Sequence, residues 1–340
     1  MKWVSYIAKR VAIAFLQVIA IWLLTFIILR VIPANPAYRI AGFDVSPENI
    51  ARIEDSLGLN KTIWVQMWDY INALLHGDLG VSLLTGNEVW DDLAQRVPAT
   101  LELTILGLFA TVVLAIPLGV WAARRKSGLA HRVVRTYSLM AGSQPDYWWA
   151  LALVFIFFVW LKIAPGPVGR LPIGMDPPYT VTGSYVFDSI VTGNWKTLVA
   201  AVAQLALPIA TIVIVYAPSI LKMTISSYRN AMGAPSIRLM RASGLGPFRV
   251  SLITLQLASP PIITTVGISA AYLLGASALI ETVFGTNGAA RYAVMAAVTT
   301  DYAGMQGVVL AIAVLSAIIY LITDVVQLVL DPRVRSVRAE

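Results

Sequence analysis

Asp146 is the residue whose type and setting most invite a chemical reading. It stands in SQPDYWW, Ser143 to Trp149, inside an apolar run long enough to cross a bilayer. Counted from Tyr137, it falls about ten residues in, or about 15 Å deep at 1.5 Å per residue, near the midplane of a hydrocarbon layer about 30 Å thick. A carboxylate is costly there, and such residues face a bundle interior or a water-filled path. Pro145 frees a backbone carbonyl beside it, and Tyr147, Trp148 and Trp149 bring rings able to stack on a ligand. Ser143, Asp146, Tyr147 and Trp148 are therefore the candidate lining of a translocation path. The plainer alternative is a carboxylate hydrogen-bonded to a neighbouring helix or placed at the membrane surface. Glu102, Glu281 and Asp324 fall near the ends of other apolar runs and read as interfacial.

Little else in the chain speaks of catalysis. It has no cysteine and only two histidines, His76 and His131, which excludes thiolate metal sites and most histidine ones. Neither HExxH nor the phosphate-cradling GxxxxGK[ST] occurs, so the chain is expected to be non-catalytic and to bind no nucleotide or other cofactor itself. Asn60-Lys61-Thr62 fits a glycosylation sequon, a match common by chance.

A second stretch stands out for its construction. SIRLMRASGLGPFRV, Ser236 to Val250, is short and basic and lies between two apolar runs. Ser236 reads as an N-cap, Ile237–Ser243 as about two helical turns and Gly244 as the C′ residue. Gly246-Pro247 then restarts a helix with proline at N1. Ile237 and Met240 share one side, Arg238 and Arg241 the other. A solvated linker has no need of caps at both ends, whereas a helix shaped for a partner's groove does.

These segments need a scaffold, and composition supplies it. The 340 residues are 58% hydrophobic and 13% charged, against about 45–50% and 25% in soluble domains. Six runs approach the roughly 20 residues a membrane helix needs: Val11–Leu29, Leu101–Ala122, Tyr137–Leu161, Leu198–Leu221, Leu252–Ile280 and Met305–Leu330. The first follows Lys9 and Arg10 but has no small-residue cleavage site before ILRVIPANP, so it reads as a retained helix. Ser259-Pro260-Pro261 predicts a kink or break in the fifth. Alternate loops are basic (Lys9, Arg10; Arg124, Arg125; Arg229, Arg238, Arg241; Arg333, Arg335) and the loop of about 34–100 is acidic. Both termini are thus predicted cytoplasmic, and the net charge of +7 is a topology signal rather than a nucleic-acid footprint.

The chain divides into a tail and first span (1–33), an extracytoplasmic helical loop (34–100) and a core of five spans (101–340), which holds the cytoplasmic loop of about 229–250. In the first outer loop, Ser46-Pro47-Glu48 starts one helix. Ile63, Trp64, Met67, Trp68, Ile71, Leu74 and Leu75 form the apolar stripe of another. These helices pack on each other, lie at the interface or form a docking surface for an outer partner. The second outer loop, Ile163–Thr197, is rich in proline and glycine and reads as an irregular cap.

The cytoplasmic stretch resembles the conserved loop of ABC-transporter permeases of the dipeptide/oligopeptide branch. It matches through Ile237, Arg238, Arg241, Ala242, Gly244 and Leu245, with Pro261 at a downstream family proline. ILRVIPANP, GDLGVSLLTG, VPATLEL, IPLGV, ETVFG and LDPRVR fit the same family in order along the whole chain. Met240 and Ser236 depart from the usual alanine and aromatic, Asp146 stands where serine is commoner, and the second outer loop is long. The resemblance implies an all-α, six-span type I ABC importer permease with both termini inside, in a bacterial inner membrane. It implies a second homologous permease (usually non-identical), two cytoplasmic ATPases that hold ATP and magnesium, and an extracytoplasmic binding protein. Ile237, Arg238, Met240, Arg241, Ala242 and Gly244 would form the coupling helix. The expected solute is a di- or oligopeptide. Oligosaccharides or opines, an ATP-independent transporter or channel, and a scaffolding subunit are the alternatives.

Overall fold

The structure, a computed structural model, describes residues 2–31, 35–42, 46–125, 134, 136–137, 140 and 144–330. Hydrocarbon gives the backbone no hydrogen-bond partners, so spanning segments must be helical or closed barrels. The regular elements among the described residues are helices, in the order α1 (Lys2–Val31), α2 (Ala37–Ala41), α3 (Pro47–Ser56), α4 (Ile63–Leu75), α5 (Val89–Arg124), α6 (Asp146–Leu153), α7 (Tyr185–Val191), α8 (Trp195–Met232), α9 (Pro235–Ala242), α10 (Pro247–Phe284), α11 (Ala289–Val298) and α12 (Tyr302–Leu330). Among them α1, α5, α8, α10 and α12 are long and apolar enough to cross a membrane. They cover five of the six predicted runs and extend beyond most of them.

The sixth run departs from expectation. A continuous helix from Tyr137 would set Asp146 in mid-span, but Gln144 and Pro145 are not helical and Asp146 is the first residue of α6. Proline disfavours helical backbone in the residue before it, and Pro145 itself is extended. Beyond Leu153 the helix widens into π-helical turns over Val154–Trp160. Asp146 therefore caps the start of a short helical segment. In the fifth run the predicted break is absent, and α10 is helical through Pro260 and Pro261. Pro260 deprives the Gln256 carbonyl of its usual donor, and the Ser259 hydroxyl replaces it at 2.8 Å. In α8, Pro218 likewise frees the Ile214 carbonyl, which accepts from the Tyr137 hydroxyl at 2.9 Å.

Small residues set the packing. Gly107, Thr111, Ala115 and Gly119 recur every fourth residue along the buried face of α5, a spacing that lets two helix backbones approach closely. A Cβ on Gly107 would lie 2.5 Å from Ile212, and one on Gly119 2.7 Å from Thr224, both on α8. Gly267 of α10 is closed off by Thr323 of α12 in the same way. Leu103, Leu153, Leu205, Ile212, Leu273, Ile280 and Phe284 fill the space where α5, α6, α8 and α10 meet. Helix α1 lies on α12 at the edge, tied by Arg10 to Asp324 at 3.2 Å.

In the first outer loop, Ser46 caps α3 with Pro47 at N1, as the sequence predicts. The outer helices do not pack on one another as a unit. Ile50 of α3 packs on Ala37 and Ala41 of α2, whereas α4 leans on α1, where Tyr70 stacks on Trp22 at 5.6 Å. The predicted stripe of α4 is split: Met67, Ile71 and Leu74 turn inward, while Trp64, Trp68 and Leu75 are exposed.

If the α5–α8 contact sets the bundle, Gly119→Val should destabilise the protein by about 1–3 kcal/mol through overpacking. Gly275→Ala, whose Cβ meets nothing within 4 Å, should change stability by no more than about 1 kcal/mol, in the stabilising direction. Thermal unfolding in detergent compares the two.

Candidate functional site

The start of α6 meets α8 and α10 at a polar-aromatic cluster. The Tyr216 hydroxyl of α8 donates to Asp146 Oδ2 at 3.2 Å. The Tyr216 ring lies 6.3 Å from that of Tyr272 on α10. Tyr216 is buried and Tyr272 is 67% exposed. Tyr147 and Trp148 are exposed beside the carboxylate, with Trp149 edge-on to Trp148 at 4.8 Å. The structure thus places Asp146, Tyr147 and Trp148 in the first turn of α6, where successive side chains point in different directions around the helix, and joins Asp146 to Tyr216. Ser143, the fourth candidate, lies outside the described residues. Sequence reasoning missed Tyr216 and Tyr272; the signal available was a hydroxyl-bearing ring in each of two otherwise apolar runs.

The other carboxylates near the span ends are bonded within the protein, Glu102 and Glu281 buried and Asp324 half-buried. Glu102 of α5 receives Arg170 Nη2 at 2.6 Å, with side-chain exposures of 1% and 9%. It also accepts from the Ser184 hydroxyl and the Val186 N–H, each at 2.7 Å. Glu281 of α10 accepts from the Thr100 and Ser277 hydroxyls and, at the start of α11, from the Arg291 N–H at 2.8 Å. An anion beside a helix N-terminus is stabilised by the unpaired N–H groups there. Asp324 is held by Arg10.

Two of these contacts seat the second outer loop, which is irregular apart from α7. Arg170 anchors it to α5 and lies 3.5 Å over the Tyr185 ring. The Gly169 N–H donates to the Phe284 carbonyl at 3.0 Å, at the outer end of α10. Asp188 of α7 folds the loop on itself. Burial alone would push its carboxyl up, but the Thr182 hydroxyl and the N–H groups of Thr182, Val181 and Gly183 outweigh that and hold it below the usual range. A carboxyl so lowered stabilises the fold fully above its unfolded value of about 3.9, and that contribution is lost as pH falls through the folded value.

At the other end, α9 starts with Ala234 as cap and Pro235 at N1, two residues earlier than the predicted Ser236 cap. Its exit matches the prediction. Gly244 has φ +79, its N–H donates to the Arg241 carbonyl, and the Leu245 N–H reaches back to that of Met240. That pair of bonds is the Schellman closure of a helix end. Ile237 is fully buried and Met240 half-buried, while Arg238, Leu239, Arg241, Ala242 and Gly244 face outward. Behind α9, Arg229 of α8 donates to the carbonyls of Ala122, Ala123 and Arg125 at the end of α5. Arg124 reaches the hydroxyls of Tyr228 and Ser251. A cleft of about 870 Å³ opens between these elements, lined by Arg124, Arg229 and Arg241 and, among the described residues, by no carboxylate.

A bundle of membrane helices with an intramembrane carboxylate and a capped cytoplasmic helix between two spans defines the membrane subunit of a transport system. Residues 115–336 match the family described as binding-protein-dependent transport system inner membrane component, and residues 3–104 match the N-terminal part of such components. The chain belongs to this family, and is an inner-membrane permease. It is similar to the probable D,D-dipeptide transport system permease protein of Escherichia coli K12, at 33% identity over 94% of both chains. The dipeptide transport system permease protein of the same strain is 32% identical over 97% of this chain and 98% of that one. The di/tripeptide transport system permease protein of Pseudomonas aeruginosa is 31% identical over 98% and 99%. Among solved structures, the MetNI methionine ABC transporter in inward-facing conformations shares the fold, with TM-score 0.50 and 18% identity over 70% of this chain and 96% of that one.

Removing one member of a buried ion pair strands the other. Glu102→Gln should therefore destabilise the protein by about 3–5 kcal/mol, read as a lower unfolding midpoint. Arg170→Met with Glu102→Gln should recover part of that loss.

Proposed function

We propose that this chain forms half of the translocation path for di- or oligopeptides in an ATP-driven importer. The observation that carries the reading is α9. A two-turn helix with a proline start and a Schellman end is rigid, and it presents exposed Leu239, Arg238 and Arg241 beside a cationic cleft. That surface suits an acidic, grooved partner on the cytoplasmic side. In this reading the partners are two ATPase subunits that carry ATP and magnesium, a second homologous permease and an extracytoplasmic binding protein. The chain itself is non-catalytic.

The coupling follows from how α9 is held. Ile237 is locked in the protein, and Arg229 and Arg124 clamp the cytoplasmic ends of α5, α8 and α10 to one another. A displacement of α9 by the ATPase pair moves these helices as one body, and the bundle exchanges inward- and outward-open states. Each ligand shifts that balance only by its differential affinity for the two states. Asp146, Tyr147 and Trp148 then line the path. The peptide assignment is supported by the relatives described as dipeptide and di/tripeptide permeases. The exposed rings beside Asp146 also suit a sugar face, which keeps an oligosaccharide as the second reading.

Two substitutions test the coupling. Arg241→Glu reverses a charge on the exposed face, and Gly244→Trp puts a side chain where φ is positive, a backbone state that disfavours non-glycine residues. In the reconstituted importer each should lower binding-protein-stimulated ATP hydrolysis and uptake by about tenfold or more. Unchanged stimulation in both variants would remove α9 from the coupling. The solute is assigned by the ligand that stabilises the cognate binding protein.

A further inference from the structure

The carboxylates of the spans are not equivalent. Glu102 has a guanidinium, Glu281 has two hydroxyls and a helix N-terminus, and Asp324 has a guanidinium. Asp146 has the phenol of Tyr216 and no ion pair among the described residues. It is also only half-buried, so one face of it is open, and the ring of its partner Tyr216 lies 6.3 Å from that of exposed Tyr272. Against lipid such a group would be strongly unfavourable, so the face borders water or another polar surface. The sequence has no lysine or arginine within ten residues on either side of Asp146, and Arg135 stands eleven before it.

We propose that Asp146 recognises the ammonium group of the transported solute. Tyr216 is the positioning residue: its hydroxyl fixes the carboxylate from the buried side, leaving the exposed side for a cation. Tyr272, whose ring lies 6.3 Å from that of Tyr216, provides a ring face to which an ammonium is attracted by the ring quadrupole. The chemistry selects a primary amine, as at the N-terminus of a peptide, over a neutral polyol of equal size. One carboxylate suits a path better than a cage of several, because a solute held by one charge is also released. The inference rests on the reading that this face lines the path.

The test uses the complete importer in liposomes and n-butylammonium as the probe, with n-butanol as the uncharged control. Uptake of the cognate solute is followed against increasing probe. Wild type should be inhibited by the ammonium and not by the alcohol. Asp146→Asn should lose sensitivity by about tenfold, the scale of one hydrogen bond to a charged group, while Asp146→Glu keeps most of it. Tyr216→Phe, which retains the charge but not its anchor, should shift sensitivity by an intermediate factor, and it carries the test should Asp146→Asn not assemble. Equal inhibition by alcohol and ammonium, undiminished sensitivity in Asp146→Asn, or identical behaviour of the Asn and Glu variants would each overturn the proposal. Its failure is separable from that of the peptide reading. A cognate solute without an amine refutes the peptide assignment while Asp146-dependent ammonium sensitivity survives, and a peptide solute with no such sensitivity does the reverse.

Discussion

Hydrocarbon offers no hydrogen bonds, so every polar group this chain carries into the bilayer must find its partner within the protein. That constraint accounts for details that would otherwise look unrelated. The Ser259 hydroxyl sits on the Gln256 carbonyl because Pro260 has no N–H to give it, and the Tyr137 hydroxyl serves the Ile214 carbonyl that Pro218 leaves open. Glu281 is tolerated at full burial because α11 begins against it. Glu102 is tolerated because Arg170 folds in from the second outer loop. Satisfying a charge in a span thus also fixes a loop, and the outer cap is positioned by the polar groups of α5 and α10.

The two ends of the bundle are held by different means. Outside, buried carboxylates gather loops and short helices: Glu102 the second outer loop, Glu281 the start of α11, and Asp301 both Ser82 and the first turn of α12. Inside, guanidinium groups gather helix ends. Arg229 lies on the last carbonyls of α5, where the helix dipole favours a cation. The same charge asymmetry that orients the chain by the positive-inside rule therefore also fastens it. Arginines that read as topology signals turn out to be structural ties on one side and an exposed cationic face on the other.

The large elements were legible in the sequence because they obey one-dimensional rules. Apolar runs of sufficient length gave five spans, Ser46-Pro47 gave the start of α3, and Gly244 and Gly246-Pro247 gave the exit from α9 and the start of α10. What failed depended on partners distant in the chain. The double proline did not break α10, since a neighbouring hydroxyl repaired the ladder. The burial and bonding of Glu102 and Glu281 could not be read locally because Arg170 and Thr100 lie far from them in sequence. The α9 cap lies two residues before the predicted one because Pro235 serves as N1, which makes Ala234 the cap despite its lack of a side-chain acceptor. Tyr216 went unnoticed because a hydroxyl-bearing ring in an apolar run does not reveal that its partner is a carboxylate 70 residues away.

Asp146 was found for a partly mistaken reason, and the correction strengthens its significance. A mid-helix carboxylate could be satisfied by a neighbouring helix and have no further part to play. At the first residue of α6, after a proline that interrupts the run, it stands at a helix N-terminus, where a negative charge is favoured. That helix end favours negative charge, and among the described residues no positive side chain pairs with the carboxylate. The fold neutralises its other span carboxylates with guanidinium groups or buries them among hydroxyls and N–H groups, and gives this one a phenol and a helix end. Such a group keeps its attraction for a passing cation, and the gap before α6 keeps it at the surface of the bundle instead of in its core.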